Sequence, residues 1–219
     1  MSFWNMFDWG QVLTWALRAA AVLICIMIHE VSHGAAALLL GDPTAKSQHR
    51  LSLNPLRHLD PFGMLMMLFL GFGWAKPVPV DMRYFKHPKS GMALTALAGP
   101  LSNFVLASLM LFVSGLLLRL SLTAFLAQLI GFFLQIAILS IGLGIFNLIP
   151  FPPLDGFKIV LSFLPDRIYY RALQYERYGI LVLIAVFWLG GGGRFLSAAI
   201  SGTLRVLCAI SGFPYVLLA

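Results

Sequence analysis

From Val12 to Leu40 the sequence runs almost without charge, broken only by Arg18 and by His29, Glu30 and His33 near its end. Two more such runs follow, about Gly91 to Leu118 and about Leu122 to Ile149. A helix needs about 20 residues to cross the hydrocarbon of a bilayer, and each run is long enough. In lipid every backbone N–H and C=O must be satisfied internally, which leaves helices or closed barrels. The alternation of polar and apolar residues that marks a barrel strand is missing. The chain is therefore read as an all-α membrane protein. Its composition agrees. With 60% hydrophobic and 11% charged residues, against about 25% charged in a typical soluble domain, it cannot cover a water-facing surface with charge.

The remaining segments fill out the architecture. A fourth span is expected at about Tyr178 to Leu189 and a fifth from about Phe195 to the C-terminus, giving about five transmembrane helices. The 13 apolar residues from Phe62 to Trp74 are short for a span and are read as a re-entrant or interfacial segment. Lys76-Pro77-Val78-Pro79-Val80 is held extended by its prolines and is expected as a small extended loop near the active site. The whole of 1–219 reads as one polytopic membrane domain, with a catalytic core over about 12–165 and C-terminal helices over about 166–219. Met1 to Gly10 has no basic leader, so the first helix is expected to be retained. Cys25 and Cys208 lie in apolar runs and read as packing residues, with no CxxC pair or disulfide framework.

The formal charge of +7 does not point to nucleic acid. Eleven of the 15 Lys and Arg residues fall in three stretches, 41–60, 76–90 and 150–177. Two spans separate the second stretch from the third, so all three can share one face. The positive-inside rule makes that face cytoplasmic, in a multi-pass protein of the cell membrane. Membrane lipid is then an obligate neighbour.

The chemistry centres on His29-Glu30-Val31-Ser32-His33, an HExxH sequence. Residues i and i+4 of a helix share a face, so both imidazoles can reach one Zn2+ ion while Glu30 stands beside them as a general base. An ionisable cluster in an apolar helix is expensive, and is a functional site by default. At 1.5 Å per residue, His33 would lie about 11 Å and His29 about 17 Å below a helix end at Leu40. The site is then inside the hydrocarbon, nearer the cytoplasmic face, and needs a polar route for water. The loop 76–80 and the segment 62–74 are candidates for its lining.

A catalytic zinc takes three protein ligands. His49, His58 and His87 sit in basic loops and read as solvated. Asp42, Asp60, Asp81 and Asp166 sit beside Pro, Gly or basic residues and read as turns or caps. Asp155 lies between two apolar stretches, where an acid needs a partner. It follows Pro150, Pro152 and Pro153, which break the helix, and such a break at membrane depth belongs around a cavity. A simple Asp-Gly turn is the alternative; the apolar setting favours a metal ligand.

These residues together resemble the site-2 protease family of intramembrane zinc metalloproteases, in its small bacterial form without a PDZ or CBS domain. The HExxH helix carries the resemblance, with His29 and His33 as ligands and Glu30 as base. The stretch Asn147…Pro150…Leu154-Asp155-Gly156 is similar to the family's second motif, with Asp155 as third ligand. Gly73-Trp74-Ala75-Lys76-Pro77-Val78-Pro79-Val80 and Ala98-Gly99-Pro100-Leu101-Ser102-Asn103 are also similar. The similarity covers residues from about 20 to 165. It implies one Zn2+ ion and hydrolysis of peptide bonds within the transmembrane segments of other proteins. Asn103 and Asn147 are the expected side chains for oxyanion or substrate contact. Val78 and Val80 are expected to pair with an unwound substrate strand. A membrane metal transporter and a non-catalytic scaffold that binds membrane helices are the competing readings. An intact general base beside the ligands argues against both.

Overall fold

The computed structural model describes residues 8–54, 57–58, 60, 76–188 and 193–218. The segment Phe62 to Trp74, and with it Gly73, Trp74 and Ala75 of the proline-rich stretch, lies outside them. Among the described residues the secondary structure is helical, with no strand: α1 (Trp9–Leu39), α2 (Thr44–Ser47), a 3-10 turn (Met82–Tyr84), α3 (Pro88–Leu117), α4 (Ala124–Leu148), α5 (Asp155–Leu161), α6 (Asp166–Trp188), α7 (Gly193–Ser211) and a last 3-10 turn (Tyr215–Leu217).

The helix limits follow from local chemistry. Asp8 caps α1, accepting from the N–H groups of Gly10 and Gln11 at 3.0 and 3.2 Å, as an N-cap acid does. At the other end Gly41 adopts φ +103°, a left-handed turn that favours glycine, and Pro43 cannot continue the helix. Pro88 starts α3 at a position where its missing N–H costs nothing. Thr123 caps α4 through Leu126 N–H, and Pro150 forces the residue before it out of the helix.

Four of these helices, α1, α3, α4 and α7, are long and apolar enough to span a membrane. No more than 33% of each apolar window is buried within the protein, so most of its apolar surface is matched to lipid rather than to a protein core. Of the fourth span expected at Tyr178 to Leu189, the described part, Tyr178 to Trp188, is the C-terminal part of α6. That helix starts at Asp166 and carries Arg167, Arg171, Glu176 and Arg177 in its first half, so it is not among the four.

Helix α3 is the centre of the bundle and packs on α1, α4, α5 and α7. Its contacts mix small residues, which let helices approach closely, with branched aliphatic ones. Ala107 and Leu111 meet Ala137 and Ile141 of α4 and Leu204 and Cys208 of α7. Ala21 and Cys25 of α1 meet Ile136. Both cysteines are buried and free. Asn103 and Ser140 link α3 to α4 reciprocally. The Ser140 hydroxyl donates to Asn103 O at 2.9 Å, and the Asn103 amide donates to Ser140 O at 3.4 Å.

Candidate active site

Helix α1 places His29 and His33 one turn apart, both buried, with their rings edge to face at 4.6 Å between centroids. Their Nε2 atoms are 3.0 Å apart. The third corner is Asp155, the first residue of α5, whose Oδ2 lies 3.1 Å from His29 Nε2 and 3.2 Å from His33 Nε2. Three donors at tetrahedral angles about 2.0 Å from a zinc ion would be about 3.3 Å apart. The observed triangle is close to that.

Proton bookkeeping points the same way. The Thr95 carbonyl oxygen, 2.7 Å from His33 Nδ1, can only accept, so Nδ1 carries the hydrogen and Nε2 of the neutral ring presents a lone pair. A backbone carbonyl behind a ligating histidine fixes ring and tautomer in this manner. Asp155 Oδ2 meets the same point as the two Nε2 atoms, and as a metal ligand it would serve as the carboxylate anion. These three residues are the His/Asp cluster able to hold a metal ion among the described residues, and the donor set fits zinc.

Two glycines make the convergence possible. A Cβ on Gly99 of α3 would meet His29 Cε1 at 2.7 Å and would overlap Cε1 and Nε2 of His33 more closely still. The bare backbone of Gly99 therefore lets α3 lie directly against both imidazoles. A Cβ on Gly156 would meet the carbonyl carbon of Leu148 and, at 2.6 Å, the oxygen of Ile149. Glycine there allows α5 to fold back onto the end of α4, which carries Asp155 to α1.

A cavity of about 280 Å³ opens beside the triad. Its lining includes Glu30, Val78, Val80, Thr95, Asn147 and Lys158. Glu30 Oε2 accepts the Val78 N–H at 2.8 Å, so the expected base is held by the extended loop. That loop is tied at two more points. The Asp81 N–H donates to Asp42 Oδ2 at 2.7 Å. Arg50 donates to the carbonyls of Lys76 and Pro77 at 2.8 and 3.2 Å and to that of Arg57.

Of the expected substrate-contact residues, Val78, Val80 and Asn147 line the cavity. Asn103 does not; it is fully buried between α3 and α4 in the pair with Ser140. His58, expected to be solvated, is 2% exposed and bonded to Ser52 O at 2.7 Å. A satisfied loop histidine cannot be told from a solvated one by composition. Asp42 is a turn residue, as expected, accepting from Thr44 N–H at 2.9 Å, but it is also fully buried. Thr95 and Lys158 were not anticipated. The signal for Thr95 was present: Met92, Thr95, Ala96 and Gly99 fall at helical spacing on one face of α3, and Gly99 marks where that face meets α1.

A family model described as peptidase family M50 matches residues 121–189, which include Asp155. The Bacillus subtilis protein "Putative zinc metalloprotease YwhC" is 41% identical over 169 residues, 76% of this chain and 77% of the relative. The chain belongs to peptidase family M50. The M50 membership agrees with the resemblance to site-2 proteases and with the donor set: the protein is a multi-pass membrane zinc metalloprotease. More distant matches are two proteins named "Putative zinc metalloprotease Rip2". That of Mycolicibacterium smegmatis is 26% identical over 78% of this chain and 66% of its own length. That of Mycobacterium tuberculosis is 28% identical over 77% and 65%. No solved structure matches the chain.

Proposed function

We propose that this M50 peptidase hydrolyses peptide bonds within the transmembrane segments of other membrane proteins. The observation that supports the reading is the position of the triad: His29 and His33 lie inside an apolar helix of 31 residues, beside a cavity with polar lining. His29, His33 and Asp155 would hold a zinc ion, which would supply a Lewis acid for the scissile carbonyl and the attacking water. Glu30, in the same cavity, accepts the proton of the attacking water and returns it to the leaving nitrogen. One of the two Asn147 amide hydrogens goes to Leu143 O at 3.0 Å, which leaves the other for a substrate oxygen.

A transmembrane helix hides its carbonyls in its own hydrogen bonds and must unwind before attack. The loop 76–81 lies along the cavity, and Val78 and Val80 are the residues on it proposed to pair with the unwound strand. The basic loops put this side of the protein in the cytoplasm of a bacterial cell, with the catalytic core over about 12–165 in one membrane domain.

The test is metal analysis of purified protein with cleavage of a co-expressed single-span protein. Wild type should hold one zinc per chain and cut. Glu30→Gln should hold the same zinc and leave the substrate whole. Equal cleavage by Glu30→Gln, or zinc transport into proteoliposomes indifferent to that change, would overturn the proposal.

A further inference from the structure

Thr95 lines the same cavity as the triad and is 2% exposed. Its carbonyl is committed to His33, but its hydroxyl oxygen is buried without any partner. This is unusual. A threonine within a helix normally returns its hydroxyl hydrogen to a carbonyl three or four residues back, and a hydroxyl buried without a bond is destabilising. Of the other cavity side chains, Asn147 gives a hydrogen to Leu143 O and Lys158 pairs with Glu176 at 3.4 Å; His29 Nδ1 is also without a partner, but its ring belongs to the His/Asp triad. Thr95 is the uncommitted hydroxyl, on the helix face where Gly99 brings α3 against both imidazoles.

We infer that Thr95 is a further catalytic residue, whose hydroxyl donates a hydrogen bond to the scissile carbonyl oxygen as negative charge builds on it. The inference rests on the proposed peptide-bond hydrolysis. It replaces Asn103, which is enclosed between α3 and α4, as the α3 residue that contacts substrate. The His33 bond to the same residue's carbonyl fixes the backbone at this turn of α3. No proton is transferred by Thr95; the bond forms with the oxygen and is strongest when the oxygen is an anion.

Thr95→Val keeps the shape, the β-branch and the carbonyl bond to His33, and removes only the donor. Its zinc content should equal wild type and its kcat should fall about 100-fold with KM little changed, the loss typical of one oxyanion donor. Thr95→Ser should recover most of the rate. As a reading independent of turnover, a phosphinic peptide with a tetrahedral anionic centre should bind the zinc-loaded Thr95→Val protein at least tenfold more weakly, while the parent peptide binds Glu30→Gln and Glu30→Gln/Thr95→Val equally. Wild-type kinetics and phosphinate affinity in Thr95→Val would overturn the inference. So would loss of zinc from it, which would make Thr95 a support of His33 alone. Should Thr95→Val fail to fold, the same comparison with Thr95→Ala decides. If wild type cleaves no membrane substrate, the proposed function itself fails, whatever Thr95 does.

Discussion

Gly99 stands against the imidazole of His33 with no room for a side chain. Its neighbours there are the two imidazoles of the proposed metal site rather than the far end of a flexible chain. Gly99→Ala must therefore push α3 away or turn the rings, and turning His33 also breaks its bond to Thr95 O. Zinc affinity of Gly99→Ala, measured by competition with a chelator, should fall about 10–100-fold, the range seen when the support of a ligand is lost. Unchanged affinity would show that α3 is free to move.

Removing the metal should loosen the junction between α1 and α5, because the triad joins two elements far apart in sequence. Zinc at 100 times its dissociation constant stabilises the folded state by about 2.7 kcal/mol. Chelator-treated protein in detergent should melt several degrees lower and recover when zinc is returned. Asp155→Ala should melt at the chelated value and ignore added zinc.

Asp42 and Glu30 hold the extended loop through the N–H groups of Asp81 and Val78. Asp42→Ala leaves the Asp81 and Thr44 N–H groups without their acceptor, at a cost of about 1–3 kcal/mol for each donor that stays buried. The loop then loses its fixed path along the cavity. KM for a membrane substrate should rise several-fold with zinc content unchanged, and limited proteolysis should cut within 76–85 faster than in wild type.

Val80→Pro and Val78→Pro separate two roles of that loop. Val80→Pro removes an N–H proposed for substrate pairing; it should slow cleavage at least tenfold and leave zinc in place. Val78→Pro instead removes the donor that holds Glu30, so its rate should fall further. Equal rates for Val80→Pro and wild type would dismiss strand pairing.

Much of the site was legible because its chemistry is written locally. His29 and His33 are four apart, a spacing that a helix turns into one face, and Asp155 is an acid in surroundings that do not tolerate one unpaired. The apolar runs place the ends of α1, α3 and α4 to within about three residues. What could not be read depends on which helix faces meet. Gly99 was visible as part of a motif but not as the place where α3 touches two imidazoles. Asn103 looked like a site residue because it is polar within a span; its place one turn beyond Gly99 hands it to Ser140 instead. Arg50 counted as a cytoplasmic charge, yet it is nearly buried and fastens three backbone carbonyls. The charged first half of α6 hid that Tyr178 to Trp188 continues a helix begun at Asp166.

Pro77 and Pro79 have one more effect. Neither has an N–H to offer, and the N–H of Asp81 already belongs to Asp42. Every second residue of the loop is thus unable to donate outward, while Val78 and Val80 alternate with them on the inner side. Exposed strand edges invite pairing with any chain that drifts past, and proline is a common way to blunt them. The outward edge of the loop is thereby closed to other copies of the enzyme in a crowded bilayer, and the proposed pairing is confined to the inner edge, where the Val78 N–H already holds Glu30.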